Sequence, residues 1–146
     1  MAEQTIVPLV SSGTAGPLGA IHLPRLWLKL SLASIGALPE GYDACGSGFD
    51  AMTLSALGLD RQKTIDFVRT EKPSYMEFEA WVVANGKTDR ETIERHNSAV
   101  RGYHHGDDLG SEMRTRSKIK DESVKDAVSL NTVEDLDEFH RRHIKT

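Results

Sequence analysis

The tetrapeptide H-L-P-R at residues 22–25 sets an imidazole and a guanidinium on either side of a proline, at the mouth of one of the most apolar runs in the chain. His22 is the type of residue that gives and takes protons near neutral pH. Arg25 falls in the first turn of the expected helix, where the helix's partial positive charge disfavours a cation by about 0.3–1 kcal/mol. An anionic partner is therefore expected. It is either an internal Asp such as Asp43 or Asp50, or the carboxylate, phosphate or nitro group of a ligand that also uses the free N–H groups of the helix start. The competing role for His22 is a bond to a loop carbonyl that ties down the glycine-rich arm, with extended backbone ahead of the proline.

Other residues could complete such a site. Asp50 reads first as a helix N-cap and second as a pocket wall. Cys45 lies just before a helix start that would lower its thiol pKa, so it is either a nucleophile paired with His22 or a small buried hydrophobe. Asn97 shares a helix stripe with Ile93, Val100 and His104, and a buried amide must either fix a loop or read a ligand. Trp27, Tyr42 and Trp81 can line an apolar pocket or simply fill a core.

Metal chemistry finds less support. Of the six histidines, four lie in "YHHGDD" and in "HRRH", where His140 and His143 are one turn apart. No H-E-x-x-H spacing occurs, and basic residues in a last helical turn complement the helix dipole, so no metal ligands are assigned. "SSGTAGPLG" lacks the Lys-Ser/Thr of a phosphate loop, and "MRTRSKIK" has no interleaved aromatics, so nucleotide and nucleic-acid binding are set aside. No cofactor signature is visible.

The elements that must position these residues are helical. The first begins at Pro24, favoured where an N–H would go unsatisfied. Its residues are apolar all round, which predicts a central helix ended by Gly36 and Pro39. Asp50, with Phe49 and Leu54 as a staple, opens the second, and Asp60 opens the third. Ser74 with Glu77, and Thr88 with Glu91, read as capping boxes; the latter helix is expected to run to His104. Residues 112–129 form one helix or two, and Asn131 or Thr132 caps the last. Alternation of period two is scarce, so the predicted class is all-α, with about five to seven helices.

The 146 residues carry 18 Lys and Arg against 22 Asp and Glu, a formal charge of −4, and one cysteine. No basic footprint, bilayer-length apolar run or signal-peptide pattern is present, so a cytoplasmic protein with neither nucleic acid nor membrane as partner is expected. Charged residues crowd the second part. This predicts a helical body over 1–102, with an irregular N-terminal arm, and a charged helical extension over 103–146 that packs on the body or on a partner chain.

At "GAIHLPRLWLKL", "GYD", "GFDAMTLSALGL" and "FEAWVVANG" the chain resembles a family of small bacterial proteins described as domain of unknown function 5069, over roughly residues 17–97. The shared pattern is a glycine before H-L-P-R, a downstream G-F-D, an L-G pair and a W-V near a terminal glycine; "ERHN" is similar at Asn97. The resemblance implies a fold unit and brings no activity.

Two functions of different class follow. The first is a cofactor-independent enzyme or enzyme subunit acting, most simply by hydrolysis, on a small anionic or aromatic molecule. His22 and Arg25 would be catalytic, with Tyr42, Asp50, Asn97 and Trp27 binding substrate. The second is a non-catalytic subunit of a homo- or hetero-oligomer that assembles through its C-terminal helices.

Overall fold

Leu23, Leu26 and Leu30 recur at helical spacing, and in the computed structural model, which describes residues 4–145, they form the buried apolar face of α1 (Leu23–Ser34). Pro24 sits in the first turn, one position later than predicted. Gly36 adopts φ 71°, the left-handed conformation that lets the chain leave the helix. Then follow α2 (Phe49–Ala56), α3 (Arg61–Glu71), α4 (Tyr75–Asn85), α5 (Arg90–Arg101), α6 (Asp107–Arg116) and α7 (Ala127–Phe139), with a π-helical turn over His140–Ile144. Among the described residues there is no sheet, only isolated bridges at Ala15–Ile21 and His104–Asp126. The fold is all-α.

Capping explains most helix starts. The Asp60 side chain accepts from the Lys63 amide, and Ser74 and Glu77 complete a reciprocal capping box. Three expected caps move, that of α2 from Asp50 to Gly48 among them. Asp89, not Thr88, caps α5 by accepting from the Thr92 amide, and Asp126, not Asn131 or Thr132, caps α7. The α7 shift has a tertiary cause: Ala127 is fully buried and its amide donates to the Tyr103 carbonyl, which starts α7 earlier than its own apolar pattern does. The α5 helix stops at Arg101, short of His104, because Gly102 takes the C-cap.

The core gathers Leu23, Leu26 and Leu30 with Leu54, Leu57, Val68, Phe78 and Val82. The α1 helix packs on α3 and α4, α2 packs on α5, and α7 lies against α5 and α6. The expectation that α1 is apolar all round needs correction. His22 at its N-cap, Arg25 and Lys29 are buried too, on a second face that is polar. That face carries the site.

Candidate functional site

Residues 22, 25 and 29 are spaced i, i+3 and i+7, so one stripe of α1 and its cap presents all three side chains to the same side. Opposite them lie the N-terminal arm, the 40–48 loop, the start of α2 and the inner face of α7. Together they enclose a cavity of about 620 Å³ whose walls include Ser12, His22, Arg25, Tyr42, Asp50 and Asp135.

At its floor His22 bridges two elements. Its Nε2 lies 2.6 Å from Asp50 Oδ1, and its Nδ1 lies 2.9 Å from Ser12 Oγ. Asp50 is held in turn by Lys29 Nζ, which donates to Oδ2 at 2.5 Å, and by the Gly46 amide at 2.7 Å. Burial alone would raise the Asp50 carboxyl, but the bonds from His22 and Lys29 outweigh it and hold the group at about 2. Asp50 is therefore ionised at neutral pH. Burial pushes His22 below its usual value, against the pull of Asp50.

A neutral imidazole beside an ionised carboxylate has one consistent tautomer. Nε2–H donates to Asp50, and Nδ1 is left as an acceptor for the Ser12 hydroxyl proton. This is the logic of a nucleophile–base–orienter triad, with the ring nitrogens exchanged relative to the common Ser-His-Asp arrangement. Ser12, His22 and Asp50 are each no more than 3% exposed.

His22 has φ 69°, in the left-handed region, instead of the predicted extended backbone. A non-glycine residue there costs on the order of 1–3 kcal/mol and persists only when its surroundings over-determine it. They do so here, because the His22 amide donates to the Thr14 carbonyl and both ring nitrogens are engaged.

Arg25 has a different partner from either predicted one. Its Nη1 donates to Asp135 Oδ2 at 2.6 Å and its Nη2 to Oδ1 at 3.2 Å, while Nη1 also reaches the carbonyls of Pro8 and Val10. Tyr42 Oη donates to the same Asp135 at 2.9 Å. The guanidinium thus joins α1, the arm and α7, and its charge is already met by a carboxylate. Seven Asp and Glu and four Lys and Arg line the cavity, an acidic balance that does not favour an anionic ligand.

The remaining predicted residues separate. Asp50 is not a cap: it lies inside the first turn of α2, Gly48 is the N-cap, and no side chain caps that helix. The reason is that three donors from outside α2 claim its carboxylate. Trp27 and Asn97 are not on this cavity wall. Trp27 donates to the Pro73 carbonyl at 3.0 Å and meets Tyr75 edge-on beside the core. Asn97 accepts from the Ile21 amide and donates to the Gly19 carbonyl, which fixes the backbone leading into His22. The Cys45 thiol is pushed up by burial and by Asp50, opposite to the lowering expected, and its sulfur accepts from Arg61. Among the described residues no three His, Cys, Asp or Glu side chains converge as metal ligands.

Three residues were missed. Lys29 was legible, since it continues the 22–25 stripe by one turn. Ser12 sits in an irregular Ser/Gly segment with no spacing to mark it, and Asp135 is 110 residues from Arg25. Comparison with family models and with curated proteins finds no match for the chain.

Proposed function

We propose that the chain is a cofactor-independent hydrolase of small esters, with Ser12 as nucleophile, His22 as general base and Asp50 as the group that orients His22. The observation that carries this reading is the Ser12–His22–Asp50 alignment, 2.9 Å and 2.6 Å, on the wall of one cavity. In the first step the Ser12 hydroxyl proton passes to His22 Nδ1 while Oγ bonds to the carbonyl carbon. His22 then returns that proton to the departing alcohol as the ester C–O bond breaks. A water molecule, deprotonated by His22, attacks the acyl-serine; the acid is released and the proton goes back to Ser12. Lys29 and Gly46 act as positioning groups on Asp50, and Arg25 positions the cavity wall through Asp135. Asp50 is a wall residue of the cavity, as is Tyr42.

The test is treatment with a fluorophosphonate followed by peptide mass analysis. Adduct on Ser12, lost in Ser12→Ala and strongly slowed in His22→Ala, supports the reading. A native-like protein that takes no adduct at Ser12 ends it.

A non-catalytic reading draws on one feature, the exposure of Leu109, Leu136 and Ile144 along the C-terminal segment. In that case the chain is an interaction subunit and the Ser12–His22–Asp50 network only fastens the arm to α1 and α2. His22→Ala would then lower stability, and replacing the exposed Leu109 and Leu136 with polar residues would abolish assembly while leaving the fold intact.

A further inference from the structure

Phe49 stands between two hollows. On one side its ring packs against His22, with centroids 5.6 Å apart; on the other it meets Tyr103 edge-on at 5.6 Å. The first side is the polar cavity. The second is a separate chamber of about 430 Å³, walled by Phe49, Ala51, Met52 and Tyr103. Ser47, Gly48, Phe49 and Asn131 line both, so the two hollows share a wall, and Phe49 in that wall packs on His22, the partner of Ser12.

The two hollows differ in chemistry. No Asp, Glu, Lys or Arg lines the chamber, and its one imidazole, His105, has Nε2 engaged at 3.1 Å with Asn131 Oδ1. The first cavity is rich in carboxylates and suits a polar, uncharged or cationic group. A hollow lined by a thioether and aromatic rings favours hydrocarbon, because apolar groups leave water for it without stripping a charge of its solvent. Tyr103 is 46% exposed at its rim, so an apolar occupant would also cover an aromatic face now in water.

We infer that the Phe49–Met52–Tyr103 chamber is an acyl pocket: it takes the medium-length hydrocarbon chain of an ester whose carbonyl lies at Ser12 and whose polar alcohol occupies the first cavity. The inference rests on the hydrolase reading above, and it makes Ala51 and Met52 specificity-determining residues. Both project from α2 and both are only partly buried, so larger side chains there narrow the chamber from its solvent side.

The experiment compares p-nitrophenyl acetate with p-nitrophenyl octanoate in the full chain, in Met52→Trp, in Ala51→Phe and in Ser12→Ala. In the wild type kcat/KM for octanoate exceeds that for acetate by at least about tenfold, the scale of hydrocarbon discrimination in a shaped pocket. Each filling variant brings the ratio close to one, and Ser12→Ala loses turnover of both esters. Ser12-dependent hydrolysis with no chain-length preference, or with a preference that neither filling variant changes, overturns the acyl pocket and leaves the hydrolase standing. Hydrolysis that does not depend on Ser12 overturns both.

Discussion

A histidine with both ring nitrogens engaged carries its chemistry in its tautomer, and at His22 that tautomer is set by Asp50. Because Asp50 is ionised, Nε2 keeps the proton and Nδ1 stays open to Ser12. Protonating His22 closes Nδ1 as an acceptor. On the proposed hydrolase reading, ester turnover should therefore fall as pH drops, with a midpoint below the ordinary 6.5, because burial lowers the His22 value. A pH–rate profile on p-nitrophenyl acetate reads this directly, and a midpoint above 6.5 would contradict it. His96 adds a separate prediction. It is 2% exposed, its Nε2 donates to the Ile21 carbonyl, and its Nδ1 has no partner. Burial lowers its pKa, so below 6.5 the unfolded chain binds protons that the folded one refuses. Stability from His22 and His96 is complete above that pH and is lost as pH falls through their folded values. The Asp50 contribution is lost only further down, between 3.8 and about 2. Urea midpoints measured from pH 8 to pH 4 should thus fall on the acid side, and less steeply in His96→Gln.

Among the elements, α1 contributes two buried faces from one helix. Leu23, Leu26 and Leu30 enter the core, while Arg25 and Lys29 face the cavity. The α4 helix that covers the core ends at Gly86, where space rather than backbone freedom excludes a side chain. A Cβ there would lie 2.6 Å from the Leu57 carbonyl oxygen, 2.9 Å from Leu59 Cδ2 and 3.0 Å from the Val82 carbonyl oxygen. Two of these three atoms are backbone and cannot yield cheaply. Gly86→Ala is expected to destabilise the protein by about 1–3 kcal/mol through overpacking, with kcat on any ester substrate little changed. Chemical denaturation checks the first part and steady-state kinetics the second.

For the molecule as a whole, the decisive link is the one between its ends. Asp135 on α7 joins Arg25 on α1, Tyr42 in the 40–48 loop and, through Arg25, the arm at Pro8 and Val10. Ser11 and Thr132 add a hydroxyl pair at 3.1 Å. The C-terminal segment therefore packs on the body and closes one side of the cavity. Both members of the Arg25–Asp135 pair are at least nine-tenths buried. Removing one leaves a buried charge without compensation, at a cost of about 3–5 kcal/mol. Asp135→Ala should show that loss in urea unfolding, and a double variant with Arg25→Met should recover part of it.

What could be read from residues alone was whatever depends on neighbours a few positions away. The all-α class, the Gly36 stop of α1, the Asp60 cap and the Ser74–Glu77 box are local, since a helix is built from bonds that span three or four residues. His22 and Arg25 stood out for the same reason, by their place at a helix mouth. Partners were another matter. Asp50 was legible as an acid near a helix start, yet its role was decided by Lys29, His22 and Gly46 arriving from outside its helix. Arg25 was legible as a cation needing an anion, but Asp135 is reached only once α7 has folded back across the arm. Ser12 gained chemical meaning solely through its 2.9 Å approach to His22. Helix periodicity carries information over one or two turns, whereas an ion pair or a relay between distant segments exists only where packing brings them together.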